Sequence, residues 1–194
     1  MAGIWGSESG GGGGSSPTEI SQGLHTIWVP ADGMKAQTTN GATAHTFETA
    51  TNDVMVTGWE FDAATNQYVQ FKVKMPKSWD EGTVTANFTW TANSTGTGAV
   101  VWTLDAMASS DNESLDTAFG TSQAVVDSYG GTTAYKSMIT ATTAAITPSG
   151  SPSAEDYVTF RAWRNAASGS DTLAEKAVLL GVSLYYTVNA ATDA

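Results

Sequence analysis

Residues 83–92 read TVTANFTWTA, and this stretch decides the fold class. Val84, Ala86, Phe88 and Trp90 alternate with three threonines and one asparagine. Because successive side chains of a β-strand point to opposite faces, the alternation predicts a strand with one apolar and one polar face. Such a strand is typical of an antiparallel sheet that buries one side and leaves the other in water.

The same alternation recurs along most of the chain, between segments rich in turn-forming residues. In residues 68–75, for example, Val69, Phe71, Val73 and Met75 share one face. The predicted strands are 24–29, 54–61, 68–75, 83–92, 99–107, 123–129, 135–146, 157–164 and 178–188. They predict an all-β fold, an antiparallel two-sheet sandwich with jelly-roll topology, although a strand count alone also admits an immunoglobulin-like sandwich.

Local patterns predict how some of these strands are connected and oriented. The turn-rich residues 93–98 (NSTGTG) predict a hairpin between the strands on either side. Residues 114–119 and 172–176 are each expected to form a helical turn, the second capped by Asp171. In the last strand, one face is expected to hold Val178, Leu180, Val182, Leu184, Tyr186 and Val188.

Composition divides the chain into an arm and a body. Residues 1–23 include five consecutive glycines followed by Ser-Ser-Pro, which is the composition of a flexible linker. We therefore expect an N-terminal arm over 1–23 and one sandwich domain over 24–194. Ile4 and Trp5, at the tip of the arm, are predicted to anchor it in a partner, since tryptophan is favoured at interfaces. The alternative is a disordered end without a role.

The charge of the chain excludes several classes of partner. Lys and Arg number 8 against 19 Asp and Glu, which gives a net charge of −11. A nucleic-acid-binding surface needs a basic patch, and anionic membranes also attract basic segments, so neither partner is expected. The chain has no cysteine, which rules out disulfides and thiolate chemistry.

Catalytic and metal-binding patterns are weak, and neither an enzymatic activity nor a cofactor is predicted. His25 and His45 each lie alone among threonines. The acids placed on strands, which are Glu60, Asp62 and Asp105, could in principle form the carboxylate pair of a glycosidase, but solvated outward positions are the expectation. The acidic loop 109–116 (SSDNESLD) offers oxygen ligands for calcium without the EF-hand spacing, and a solvated loop is expected there as well.

Tryptophan is abundant, with seven residues in 194. Alternation places Trp90 and Trp102 on inward faces, which predicts core packing. Trp163 and Tyr185 fall on outward faces instead, where an aromatic ring forms either a ligand platform or a subunit interface.

The C-terminal part of the chain carries a longer pattern. Its segments are LDTAFG at 115–120, VVDSY at 125–129, ITATTAAITPSGSPSAEDYVTFRAWRNAASGSDTL at 139–173 and AVLLGVSLYYTVNA at 177–190. These segments resemble the C-terminal region of structural proteins from tailed bacteriophages, especially marine ones.

The resemblance implies a jelly roll that assembles as a trimer on the virion. It implies a non-enzymatic decoration or cement protein on the capsid surface, with the major capsid protein as partner and Trp163 and Tyr185 in the trimer interface. The alternative is a fibre or receptor-binding module that recognises host surface glycans. A cyclic trimer would also cover sheet edges that a lone sandwich must protect.

Overall fold

The computed structural model describes residues 23–189, which form eleven strands and one short 3-10 turn at Ala31–Gly33. The strands are β1 (Leu24–Pro30), β2 (Lys35–Ala36), β3 (Thr43–Glu48), β4 (Met55–Phe61), β5 (Gln67–Lys74), β6 (Trp79–Ala92), β7 (Thr97–Ser109), β8 (Gln123–Gly130), β9 (Met138–Ile139), β10 (Tyr157–Arg164) and β11 (Ala177–Val188). The predicted all-β antiparallel sandwich is confirmed. The predicted anchors Ile4 and Trp5 lie outside the described residues.

The strands form two sheets whose order defines a jelly roll. Sheet A has the order β3-β4-β11-β6-β9, with β1 also paired to β11, and sheet B has the order β2-β5-β10-β7-β8. From β4 onward the chain is one long antiparallel hairpin wound on itself, because β4 pairs with β11, β5 with β10, β6 with β9 and β7 with β8. Eight strands divided in this way between two sheets are a jelly roll.

The core between the sheets is aromatic. Trp79, Trp90, Trp102, Phe88 and Phe160 are completely buried. The predicted inward positions of Trp90 and Trp102 are therefore confirmed, and the two rings meet edge to face with centroids 6.0 Å apart. Edge-to-face aromatic pairs contribute about 0.5–1.5 kcal/mol beyond the area that they bury.

The predicted hairpin across residues 93–98 is wrong. β6 belongs to sheet A and β7 to sheet B, so the connection crosses from one sheet to the other. The turn composition is real, but the apolar faces of both strands point into the same core from opposite sides. Burial in the sandwich therefore decides the pairing, and each strand pairs with distant segments instead.

The predicted strand over 135–146 is mostly irregular, with only β9 and a single bridge from Ile146 to Val84. Threonine hydroxyls replace part of the backbone ladder along β6. The hydroxyl of Thr140 accepts a hydrogen bond from the Phe88 amide at 3.0 Å, and the hydroxyl of Thr143 accepts one from the Ala86 amide at 3.1 Å. The edge of β6 is thus covered without a regular strand.

A β-bulge changes the facing of β11. The pairing of β11 with β6 shifts register between Leu179 and Gly181, so the residues before the shift face opposite to the prediction. Leu179 packs in the core, whereas Val178 and Leu180 lie on the outer side of sheet A. From Val182 onward the predicted inward face is confirmed.

Neither predicted helical turn forms. Residues 114–119 and 172–176 are extended or irregular. Asp171 does not cap a helix, because its carboxylate accepts a hydrogen bond from the backbone amide of Val101 and pairs with Arg164. The contacts of Asp171 with Val101 and Arg164 therefore replace the helix cap that the local sequence predicted.

Candidate functional site

A buried ion pair closes one end of the sandwich. The Arg164 side chain is completely buried, and its guanidinium pairs with Asp171 at 2.6 Å. The same guanidinium donates to the carbonyls of Glu175, at 2.7 Å, and Leu173. Because each polar group of this cluster has a partner inside the chain, its role is to hold the segment after β10 against β7.

A second pair lies on the outer side of sheet B. Arg161 binds Asp105 through two hydrogen bonds of 3.0 and 2.7 Å, and Ser122 donates to the same carboxylate. The Phe119 ring covers the guanidinium at 4.3 Å. Asp105 is completely buried, so the expected solvated position is wrong. The reason is that residues 119–122 fold back over the sheet.

We call Arg161, Asp105, Arg164 and Asp171 the arginine lock. Three of these four residues, together with the covering Phe119, lie within the C-terminal segments quoted above. Residues 177–188 of the last segment form β11, whose inward side chains fill the core. These side chains of the C-terminal segments therefore fix the fold.

The three acids that could have formed a catalytic pair are kept apart. Asp105 is on sheet B, whereas Glu60 and Asp62 are on or next to β4 of sheet A. The carboxylate of Asp62 accepts backbone amides of its own turn at 2.8 and 3.0 Å. Glu60 receives the ammonium of Lys176 at 2.7 Å and lies 3.3 Å from Nδ1 of His45. The other histidine, His25, is exposed beside the Tyr186 ring.

A concave site lies on the outer side of sheet A, next to Glu60. It is a cavity of about 420 Å³ between the β3–β4 hairpin and the segment after β8. One wall is an aromatic pair, Phe47 and Tyr135, whose rings stack with centroids 3.7 Å apart. Val56 and Leu180 form apolar parts of the lining, and Thr91 lies on β6 beneath it. We call this cavity the groove.

Two features of the groove bear on what it could bind. Tyr135 has a φ of 60°, in the left-handed region that costs a non-glycine residue about 1–3 kcal/mol, and it is one of six described non-glycine residues with a positive φ. Thr91 is only 2% exposed, and its hydroxyl has no hydrogen-bond partner among the described residues. Burial, and then the negative charge of Glu60, raise the pKa of the Tyr135 phenol.

The predicted interface residues lie on opposite outer faces of the sandwich. Trp163 is half-buried on sheet B, with its ring 5.5 Å from that of Tyr68. Tyr185 is half-buried on sheet A, where its hydroxyl accepts a hydrogen bond from Asn87 at 2.8 Å. The structure does not bring the two into one patch within a single chain.

Sequence reasoning missed the exposed apolar residues beside Tyr185. Leu24 is 71% and Trp28 is 48% exposed on β1, and the register sets both on the same face as Tyr185. The Trp28 ring packs over Gly181, where any β-carbon would come within 2.3 Å of it. The sequence did indicate this exposure, because Ile27 and Val29 face inward on this strand and alternation then places Leu24 and Trp28 on the outer face.

The groove was also missed, because Phe47 lies on a strand that was not predicted. The sequence did contain a sign of this strand, which is the alternation of His45 and Phe47 with threonine and alanine.

In the acidic loop 109–116, residues 111–116 are exposed, and the carboxylate of Glu113 accepts a hydrogen bond from the amide of Ser110. Within 23–189 there is no cluster of three or more histidine or acidic side chains placed to hold a metal ion. The same residues contain no helix that is long and apolar enough to cross a membrane.

No protein-family model and no curated protein sequence matches the chain. Several solved structures are similar in fold. A family 11 carbohydrate-binding module from Clostridium thermocellum, in complex with a β-1,3-1,4-mixed-linked tetrasaccharide, has 8% identity and a TM-score of 0.41 over 82% of this chain and 94% of that one. A Paenibacillus sp. cycloisomaltooligosaccharide glucanotransferase has 13% identity and a TM-score of 0.43 over 84% of this chain and 18% of that one.

A viral structure is also similar, that of infectious bursal disease virus, Gx strain. It has 9% identity and a TM-score of 0.37 over 88% of this chain and 33% of that one. At these scores the likeness extends to the sandwich architecture alone.

Proposed function

We propose that the protein is a non-enzymatic structural protein of a tailed-phage particle, a homotrimer that decorates the capsid surface and binds the major capsid protein. The observation that carries the proposal is the pair of apolar patches on opposite outer faces. The exposed Leu24 and Trp28 form the first patch, on sheet A, together with the half-buried Tyr185, and the half-buried Tyr68 and Trp163 form the second, on sheet B. Apolar groups that stay partly exposed on an outer face are suited to an interface.

Two different patches on opposite faces fit a ring. In a head-to-tail interface, one surface of a subunit meets a different surface of the next, and the assembly closes if the rotation allows it. In the proposed trimer, the patch around Tyr185 of one copy packs against the patch around Trp163 of its neighbour. Each of the three interfaces would then bury one patch of either kind.

The ionisable residues of the body support a structural role rather than catalysis. Asp105 is engaged by Arg161, Asp171 by Arg164, and Glu60 by Lys176. In these three pairs the carboxylate is held by a basic side chain of the same chain, which is consistent with a structural role.

Two substitutions that introduce a negative charge test the proposed ring. Trp28→Glu and Trp163→Glu each place a charge in a proposed contact, and either should convert the trimer to monomers. Met55→Glu is the matched control, because Met55 is 59% exposed and lies at the start of β4, a strand that carries neither patch. Sedimentation of the three variants gives the result, and a trimer that survives both tryptophan changes would refute this interface.

The arm is the proposed attachment to the shell. Burying Ile4 and Trp5 would contribute on the order of 3–5 kcal/mol. Ordering a glycine-rich arm costs about 1–2 kcal/mol for each fixed residue, so the net gain per arm is small. Three arms on one trimer would raise the overall affinity through their effective concentration.

Deletion of residues 1–16 tests the attachment. The truncated protein should remain a folded trimer but no longer join purified capsids. Ile4→Ser/Trp5→Ser in the full chain is the matched variant, because it keeps the length of the arm. If the truncated protein decorates capsids at full occupancy, attachment is through the body instead.

A further inference from the structure

We propose that the groove on sheet A binds one ring of a neutral saccharide. The proposal is separate from the trimer and the capsid contact, and it concerns a site that lies at the other end of β11 from Tyr185. It rests on the size of the groove, the chemistry of its lining and two local features that the fold itself does not require.

The size and lining select the class of ligand. A cavity of about 420 Å³ is within the range of small-molecule sites and holds a six-membered sugar ring with room at its mouth. None of the described residues that line it is charged; the polar ones are threonines, Asn52, Ser137 and Tyr135. A sugar ring presents a C–H face that packs on apolar and aromatic surface, and hydroxyls at its rim that need neutral donors and acceptors.

The unpartnered hydroxyl of Thr91 points to a polar ligand. A buried hydroxyl without a hydrogen bond costs free energy, and groups of this kind in a native structure call for an explanation. Thr91 lines the groove, and its neighbour across the ladder, Val178, offers no polar side chain. A ligand hydroxyl that descends into the groove would give Thr91 a partner that residues 23–189 do not provide.

The backbone of Tyr135 points to a binding wall. Its amide donates to the carbonyl of Ala92 at 2.8 Å, which fixes the residue in its left-handed conformation and places the ring against Phe47. Glycine would meet the backbone requirement without strain, so the fold alone does not ask for tyrosine here. Five other described non-glycine residues also have a positive φ, so it is the placement of the ring beside Phe47, rather than the strain, that distinguishes Tyr135.

The test is an NMR titration of the full chain. The probes are the methyl glycosides of glucose, galactose and mannose, with N-acetylneuraminic acid as a charged comparison. We expect saturable shifts of the amides of Phe47, Thr91 and Tyr135 with at least one neutral glycoside, at a millimolar Kd of the kind a single small ring attains. No such shifts with all three glycosides, or groove shifts with the charged sugar alone, would overturn the proposal.

Two variants assign the shifts to the groove. Tyr135→Gly should abolish binding while the chain stays folded, because it removes the wall and glycine accepts the positive φ. Thr91→Val keeps the shape of the side chain and should weaken binding about three- to tenfold, the effect of one hydrogen bond. Tyr157→Ala, on the outer face of sheet B, is the matched control and should bind normally. Binding that is unchanged in both groove variants would also overturn the proposal.

Discussion

The arginine lock and the groove differ in how their polar groups are satisfied. In the lock, Arg164 is bound by Asp171 and two carbonyls, and Arg161 by Asp105. In the groove, the Thr91 hydroxyl has no described partner and Tyr135 holds a strained backbone. The first arrangement makes the sandwich stable, while the second leaves interactions for a ligand to complete.

The largest effect that separates the two regions is expected at Asp171. Asp171→Ala leaves the Arg164 charge buried without its partner and should lower the free energy of unfolding by about 3–5 kcal/mol. Urea denaturation measures the change. The control is Asp171→Ala/Arg164→Met, which removes both charges and should recover part of the loss, since the Val101 amide and the carbonyls of Leu173 and Glu175 still lose their partners. If the double variant is as unstable as the single one, the lost hydrogen bonds and packing, rather than the charge, explain the effect.

The outer half of the lock should respond less strongly. In Asp105→Asn the amide can still accept from Ser122, and Arg161 is 27% exposed, so its guanidinium can turn to water. The expected loss is about 1–3 kcal/mol, measured by the same denaturation. A loss equal to that of Asp171→Ala would contradict the assignment of the tighter contact to Arg164.

In the groove, a substitution is expected to relieve strain rather than to break a contact. Because Tyr135 has a positive φ, Tyr135→Gly should be more stable than Tyr135→Ala by about 1 kcal/mol, even though glycine makes the unfolded chain more flexible than alanine does. The thermal midpoints of the two variants give the comparison. Equal stability, or a more stable alanine variant, would mean that the backbone at Tyr135 is not strained.

Sequence patterns predicted the strands well and their partners poorly. The inward faces of residues 84–90 and 182–188 follow from alternation, because each lies on a single strand over a single core. The hairpin at 93–98 failed because the sheet to which a strand belongs is set by contacts far away in sequence. The groove was not predicted for the same reason, since Phe47, Tyr135 and Thr91 come from three separate segments of the chain. The bulge at Leu180 turned Val178 and Leu180 to the outer side of the sheet, and no local sequence pattern indicates a bulge there.

The smallest effect is electrostatic and belongs to the edge of the groove. The hydrogen bond from Lys176 to Glu60, and then the charge of Glu60, raise the pKa of the Lys176 ammonium, and Glu60 also raises the pKa of Tyr135. A raised pKa in the folded state stabilises the protein below the ordinary value, and this contribution is lost as the pH rises through the higher one. We expect a small loss of stability at alkaline pH, above the ordinary values of 10.0 and 10.5.

Glu60→Gln isolates this effect. In an absorbance titration, the contribution of Tyr135 is the part that is lost in Tyr135→Phe. Because the charge of Glu60 helps to raise the pKa of Tyr135, this contribution should move to lower pH in Glu60→Gln. A Tyr135 contribution that is insensitive to Glu60→Gln would show that the charge of Glu60 does not reach the groove.

The native mass of the protein, together with its copy number on the particle, tests the proposed function most directly. We predict a species of three times the 20.1 kDa chain mass at micromolar concentration, and a copy number that follows the capsid lattice, on the order of hundreds. A 20.1 kDa monomer that forms no larger species, or a copy number of about a dozen as in fibres and spikes, would contradict a trimeric capsid-decorating protein.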